Sequence, residues 1–241
     1  MRSQKNLLRS SNRSLPLNAF KTANEYGNWI DQLIVGFVDP ERIAWQPIEN
    51  YLQWNSLFFT LTFDKRKIRR RQSVLNDSSG TIGFNEGNID RLNKDNLSPE
   101  FFNIDRLYKK VCAAILGRNY SRHRQSQPLL IAAADINGTR YGSPLGEMQN
   151  LHLHTIWVFK KGQIDKARAK LEEVMVSDRE HEFDFDQVHI DEVGCFNPGS
   201  RSVSQLSSYV SKFLGFNADR VFIECDISIY PIGKPEKDCA M

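Results

Sequence analysis

Two histidines stand two residues apart in an apolar stretch, and two imidazoles at this spacing could bind one metal ion. His152 and His154 lie within Leu151–Phe159, which is rich in β-branched and aromatic residues and is therefore predicted to form a buried strand. Residues two apart in a strand point to the same face, so both imidazoles project together from a rigid backbone. Burying two neutral imidazoles without a partner is costly, and a divalent metal is one natural partner. The alternative is that both side chains face solvent on an edge strand.

A tyrosine and a lysine form the second pattern that could do chemistry. Tyr209 and Lys212 are three residues apart in a predicted helix, so they share one helical face. A phenol titrates at about pH 10 and is a poor nucleophile at neutral pH unless nearby charge favours the phenolate. A lysine one turn away could supply that charge or hold a phosphate. The alternative is a half-buried tyrosine beside a solvent-exposed lysine.

Cationic side chains are concentrated in two segments. The first directly follows a predicted strand and contains Lys65, Arg66, Lys67, Arg69, Arg70 and Arg71. The second contains Arg122 and Arg124. A charge run is usually a solvated face, but the density and single sign of the first cluster make it a candidate phosphate-binding strip. The net charge of the whole chain is only +3, so any nucleic-acid surface must come from such local clustering.

Length and composition are those of a globular protein. The 241 residues can form one sizeable domain with additions, and the hydrophobic fraction of 40% is ordinary. The four cysteines are far apart and form no CxxC, which argues against a zinc ribbon or a disulfide framework and fits a reducing compartment. The chain contains no apolar run of about 20 residues and no secretory signal. We therefore expect a cytoplasmic protein with no membrane partner.

The elements expected along the chain alternate between strands and helices. Strands are predicted at Leu57–Phe63, Pro128–Asp135, Leu151–Phe159, Phe183–Val193 and Val221–Ile227. Helices are predicted at about Ser98–Leu116, Gly162–Val176 and Val203–Phe216. The second and third strands should pair as a hairpin with a long loop. This order predicts an α+β fold in the ferredoxin-like style, with an antiparallel sheet covered by helices on one face.

The N-terminal part is predicted to be an arm followed by short helices. Residues Met1 to about Ala23 are polar and basic, which is typical of a flexible arm. Apolar residues at helical spacing from Trp29 to Phe37 predict a short amphipathic helix, and a second apolar set ending at Trp54 is predicted to be core.

The order of these patterns resembles the HUH endonucleases, specifically the replication initiator (Rep) group with a single catalytic tyrosine. Phe58–Phe63, with the sequence FFTLTF, is similar to the first Rep motif, His152 and His154 to the second, and Tyr209 with Lys212 to the third. The resemblance covers roughly Leu57 to Ile227. It implies a central antiparallel five-stranded sheet with flanking helices, the histidines on a central strand and the tyrosine helix packed across the sheet. Together with the composition of the two ends of the chain, it predicts three parts: an arm and helical extension (1–50), an endonuclease domain (51–230) and a polar C-terminal tail (231–241).

The resemblance also implies a third metal ligand, which the sequence leaves open. The family places an acidic or amide residue shortly before the histidines. Asp135 ends the partner strand and would face the pair if the hairpin is in register, and a strand end is better preorganised than a loop. Glu147 is nearer in sequence but lies in the predicted loop, and Gln149 is a weaker alternative. We prefer Asp135.

The activity implied is site-specific nicking and strand transfer on single-stranded DNA through a 5′-phosphotyrosine, which starts rolling-circle replication of a plasmid, phage or mobile element. Tyr209 would be the nucleophile, Lys212 would assist it, and Mn²⁺ or Mg²⁺ would be the cofactor. The partners would be single-stranded DNA or an origin hairpin, and a helicase acting in trans, because the chain contains no GxxxxGK[ST]. The alternatives are a transposase or relaxase of the same superfamily, or a non-catalytic single-stranded nucleic-acid-binding protein.

Overall fold

A five-stranded antiparallel sheet forms the centre of the computed structural model. The structure describes residues 17–41, 46–70, 99–136, 151–176, 183–192, 204–211, 214 and 227–231. The strands are β1 (Ser56–Phe63), β2 (Leu129–Ile136), β3 (Leu151–Val158), β4 (Phe185–Glu192) and β5 (Ile227–Tyr230). Their order in the sheet is β4-β1-β3-β2-β5, and every pairing is antiparallel. The predicted α+β fold with a central five-stranded antiparallel sheet is confirmed.

Six helices flank the sheet in the part of the chain that the structure describes. They are α1 (Leu17–Val38), α2 (Ile48–Asn55), α3 (residues 65–70), α4 (Pro99–Leu116), α5 (Ile164–Val176) and α6 (Gln205–Ser211). Two single 3₁₀ turns, at Tyr120–Arg122 and Arg124–Ser126, connect α4 to β2. None of these helices is long and apolar enough to cross a bilayer.

Helices cover both faces of the sheet, so the expectation of helices on one face is wrong. The first face packs on α4 and α5 and includes Leu61, Leu153 and Trp157. The second face packs on α1, α2 and α6 and includes Ile131 and Ile156. The order of elements along a chain does not specify on which side of the sheet each connecting helix passes. Cover on both faces explains why the residues of β1 and β3 are buried at almost every described position rather than at alternate ones.

The N-terminal helix is longer than predicted. Helix α1 begins at Leu17, so the predicted arm is wrong for residues 17–23. The seven residues of this stretch mix polar and apolar types and are too few to show a helical period in the sequence. Further along α1, a stripe at Ile30, Ile34 and Val38 is fully buried, whereas Trp29 is 39% exposed. In α2, Tyr51 is buried and donates a hydrogen bond of 2.9 Å to the carbonyl of Phe159, directly after β3.

Helix α3 follows β1 after a single residue, Asp64. The Asp64 carboxylate accepts the backbone N–H of Arg66 at 2.8 Å, and the Asp64 carbonyl accepts that of Ile68 at 3.1 Å. This is an N-cap, and the hydrogen bond from Arg66 lowers the pKa of Asp64 below its ordinary value. Ile68 is buried and anchors the helix to the first face of the sheet.

The remaining predicted boundaries agree closely where the structure describes them. The last strand is the exception, because β5 runs from Ile227 to Tyr230 and so continues three residues beyond its predicted end; the predicted strand residues 221–226 lie outside the described residues. The tyrosine helix is described at Gln205–Ser211 and lies within the predicted range.

Candidate metal centre

The two histidines project from the central strand toward the second face of the sheet. Their neighbour Leu153 points to the opposite core, as strand alternation requires. The rings of His152 and His154 are perpendicular, with centroids 4.8 Å apart. Both side chains are buried, His152 at 8% exposure and His154 at 1%. The alternative of two solvent-facing histidines on an edge strand is therefore wrong, because β3 is the middle strand of five.

Asp135 reaches both imidazoles from the neighbouring strand. The β2–β3 register pairs Asp135 with His152 and Ala133 with His154, so the side chains of Asp135 and both histidines share one face. Asp135 Oδ2 lies 2.9 Å from His154 Nε2 and 3.3 Å from His152 Nε2. Asp135 itself is 1% exposed. The register on which the preference for Asp135 depended is the one observed.

The donor atoms of these three residues fit a divalent metal ion. One ligand atom from each residue lies within 4.8 Å of the others, and this is a group that could hold a metal ion. Two ligands at right angles about an ion, each at about 2.1 Å, lie about 3 Å apart, close to the two Asp135–histidine separations. Two imidazole nitrogens and one carboxylate oxygen suit several divalent transition metals and leave coordination positions open.

Two residues of β1 hold the ring of His154. Thr60 pairs with His154 in the β1–β3 register, and its Oγ1 lies 3.1 Å from His154 Nδ1. When His154 Nε2 serves as the ligand, Nδ1 carries the ring proton and donates a hydrogen bond to Thr60 Oγ1. This hydrogen bond fixes the tautomer. The ring of Phe58 stacks on His154 with a centroid distance of 5.6 Å. The sequence places Phe58 and Thr60 in the first motif without indicating a role for either. Because they are two residues apart in β1, they lie on one face of the sheet, and this is the signal that could have linked both to the histidines.

Tyr209 lies over the histidines. The centroids of the Tyr209 and His154 rings are 4.6 Å apart, and the Tyr209 ring meets Phe58 edge-on at 6.0 Å. Helix α6 carries Tyr209 across the second face, and the next residue, Val210, is fully buried in that core. Tyr209 is nevertheless 41% exposed. One side of its ring contacts the candidate metal centre while another remains exposed.

Several residues of the predicted site lie outside the described residues, namely Lys212, Glu147, Gln149 and Arg71. Another histidine, His189, pairs with Thr60 in the β1–β4 register but is exposed and does not belong to the metal group.

The first basic segment begins at the end of the sheet that carries the metal centre. Thr62, near the end of β1, pairs with His152, and α3 starts three residues later. The exposed residues of α3 are Lys65, Arg66, Arg69 and Arg70, and Lys67 is half-buried. These five residues are called the basic helix below. The basic helix therefore begins at the same end of the sheet as the candidate metal centre, although Ile68 anchors it to the first face and the histidines project from the second.

The second basic segment lies elsewhere. Arg122 and Arg124 are in the 3₁₀ turns before Leu129, where β2 begins, whereas Asp135 is near the end of β2. Six strand residues separate these positions by roughly 20 Å. The structure therefore does not bring Arg122 and Arg124 to the same end of the sheet as the histidines.

A comparison of the chain with models of protein families, with curated proteins and with solved structures gave no match. The arrangement of Asp135, His152, His154 and Tyr209 is accordingly the main guide to function.

Proposed function

We propose that this protein is a single-stranded DNA endonuclease and strand transferase of the HUH type that nicks an origin to start rolling-circle replication. The observation that carries the proposal is the contact of the exposed Tyr209 ring with His154, in a group with Asp135 and His152 that could hold a metal ion. A phenol next to a metal-binding group suits attack on a phosphodiester. The two motifs are 55 residues apart in sequence, and the fold brings them together.

Each residue of the site has a distinct proposed role in the reaction. Asp135, His152 and His154 would hold a divalent ion, with Mn²⁺ or Mg²⁺ expected, and the bound ion would polarise the scissile phosphate and offset its developing charge. Thr60 and Phe58 keep the His154 ring in the ligating orientation. Tyr209 Oη is the nucleophile. Lys212 is assigned by the sequence alone to orient the phosphate or favour the phenolate.

The proposed reaction is a balanced transesterification. Tyr209 Oη forms a bond to phosphorus as the bond from phosphorus to the 3′ oxygen breaks. The phenolic proton is lost and the departing 3′ oxygen gains one, so no net proton is consumed. The products are a 5′-phosphotyrosine and a free 3′-hydroxyl. One phosphate ester replaces another, so the step can reverse to rejoin strands, and the 3′-hydroxyl can prime synthesis.

The basic helix supports a nucleic-acid substrate. Its cations begin at the same end of the sheet as His152, where they could contact phosphates flanking the one that is cleaved. The partners expected from this function are single-stranded DNA or an origin hairpin and a helicase in trans.

The test is formation of a covalent adduct. The protein is incubated with Mn²⁺ and a labelled single-stranded oligonucleotide carrying the origin of its own element, and the products are separated under denaturing conditions. We expect an adduct with the wild type and with the control Tyr26→Phe, and none with Tyr209→Phe. The absence of an adduct on any origin-containing strand, or an adduct with Tyr209→Phe, would contradict the proposal. DNA binding without any adduct would favour the non-catalytic nucleic-acid-binding alternative.

Metal binding is measured separately by calorimetry with Mn²⁺. Asp135→Ala and His152→Ala should each weaken binding strongly, whereas the exposed His189→Ala should not. Equal Mn²⁺ affinity in wild type and Asp135→Ala would remove Asp135 from the site. A transposase or relaxase would form the same adduct. The replication role therefore also requires that the nicked circular element support helicase-dependent DNA synthesis.

A further inference from the structure

The start of the tyrosine helix is held by a carboxylate from the N-terminal helix. Ser204, the residue before α6, donates its backbone N–H to Asp31 Oδ2 at 2.7 Å and its hydroxyl to Asp31 Oδ1 at 2.6 Å. Ser204 Oγ in turn accepts the backbone N–H of Ser207 at 3.1 Å, which makes Ser204 the N-cap of α6. Ser204 is fully buried. Both carboxylate oxygens of Asp31 therefore accept hydrogen bonds from Ser204, the cap residue of α6.

Helix α1 is itself fixed to the sheet. Ile30, Ile34 and Val38 are buried in the same core as Ile156 of β3 and Val210 of α6. Just after α1, Glu41 forms an ion pair of 2.8 Å with Lys160, two residues beyond β3. The Lys160 ammonium also lies 4.8 Å from the ring centroid of Phe37. The strand that carries the histidines and the helix that carries Tyr209 are thus joined through α1.

The position of Tyr209 depends on this connection. Tyr209 is five residues after Ser204, a rise of about 7.5 Å along the helix. Reacting atoms must come within about 3–3.5 Å of each other, and a displacement of about 1 Å can cost about 100-fold in rate. Most of the stability of a helix in a protein comes from its tertiary contacts, so the placement of α6 depends on contacts such as those of Ser204 and Val210.

We propose that Asp31 is a positioning residue that sets the location of Tyr209 over the metal centre through its two hydrogen bonds to Ser204. Its effect on the reaction rests on the proposed function, whereas its effect on the position of Tyr209 does not. Helix α1 is on this account part of the active-site framework rather than an addition to it. An ordinary structural cap would contribute to stability without changing where Tyr209 lies in the folded protein.

The position of Tyr209 is measured directly with 3-fluorotyrosine at residue 209. Mn²⁺ bound at the metal centre broadens the fluorine resonance according to its distance. We expect strong broadening in the wild type and clearly weaker broadening in Asp31→Ala, with Mn²⁺ affinity unchanged in both. Asp31→Asn keeps the side-chain shape and one acceptor oxygen for the Ser204 N–H and should fall between them. Gln32→Ala, an exposed neighbour on α1, should match the wild type.

The second readout is the single-turnover rate of adduct formation at saturating DNA. In Asp31→Ala it should fall about 10- to 100-fold while DNA affinity stays the same, and Asp31→Asn should recover part of the rate. If Mn²⁺ broadens the fluorine resonance of residue 209 as strongly in Asp31→Ala and Asp31→Asn as in Gln32→Ala, Asp31 does not position Tyr209 and the proposal is overturned. If wild type forms no adduct, the proposed function fails, and the fluorine measurement still decides whether Asp31 positions Tyr209.

Discussion

The ring of His154 is contacted by four side chains besides that of His152. Asp135 approaches its Nε2 and Thr60 its Nδ1, while Phe58 and Tyr209 contact the ring itself. A ligand held in this way is preorganised, because little rotational freedom is lost when a metal binds. His152 lies farther from Asp135, at 3.3 Å rather than 2.9 Å, and is slightly more exposed. The orientation of the His154 ring therefore depends on the side chains around it.

Substitution of Thr60 tests whether its hydrogen bond to His154 contributes to metal affinity. Thr60→Val keeps the β-branched shape but removes the acceptor for His154 Nδ1–H, so we expect Mn²⁺ affinity to fall by about 10- to 100-fold. Thr60→Ser restores the hydroxyl and should recover most of the affinity. Thr62→Val is the matched control, because Thr62 is hydrogen-bonded to the Gln187 backbone rather than to histidine. Calorimetry measures all four proteins, and an unchanged affinity in Thr60→Val would show that Thr60 does not support the ligand.

At the scale of elements, the basic helix and the tyrosine helix owe their positions to residues at their first turns. Asp64 caps the basic helix immediately after β1, and Ser204 with Asp31 caps α6. Ile68 turns inward, which leaves the cations of the basic helix on the opposite, exposed side. The sequence predicted the charge cluster but not that it is helical, because its single apolar residue gives no periodic pattern.

The basic helix predicts a salt-dependent contribution to DNA binding. The triple substitution of Arg66, Arg69 and Arg70 by Gln should weaken binding to all single strands and reduce the slope of log affinity against log salt by up to about 2. A matched triple substitution of Lys161, Lys166 and Lys170 by Gln removes the same charge from the α5 region, which begins after the end of β3 opposite to His152. Fluorescence anisotropy over a salt series measures both. An equal loss in the two triple variants would assign the effect to net charge rather than to the basic helix.

At the scale of the molecule, helices pack on both faces of the sheet, and the two layers of helices differ in role. The first face, with α4 and α5, is a closed apolar core that includes Trp157 and the buried Cys112, whose burial raises the thiol pKa to about 12. The second face is shared between an apolar core and the candidate metal centre. The division into an extension at 1–50 and a domain at 51–230 stays a prediction.

Denaturation of Ile34→Ala tests how α1 relates to the rest of the fold. Ile34 is fully buried against the second face, so removal of its side chain should lower the free energy of unfolding by about 2–5 kcal/mol. Because its core includes β2, β3 and α6, we expect one cooperative urea transition, followed by circular dichroism. Asn28→Ala, exposed on the same helix, should change stability by less than about 0.5 kcal/mol. A separate early transition, sensitive to Ile34 alone, would make the extension an independent unit.

The amino-acid sequence by itself determined the local features of the site. Alternation in a strand put His152 and His154 on one face, and helical spacing put Tyr209 on a helix, because both depend only on backbone geometry over a few residues. The choice of Asp135 was a preference that depended on an unobserved register. Only the tertiary structure decided that register, and with it the place of Tyr209 over His154. It also decided that helices cover both faces and that Asp31 meets Ser204, 173 residues away. These are long-range contacts, fixed by burial of both sheet faces at once, and no local periodicity encodes them.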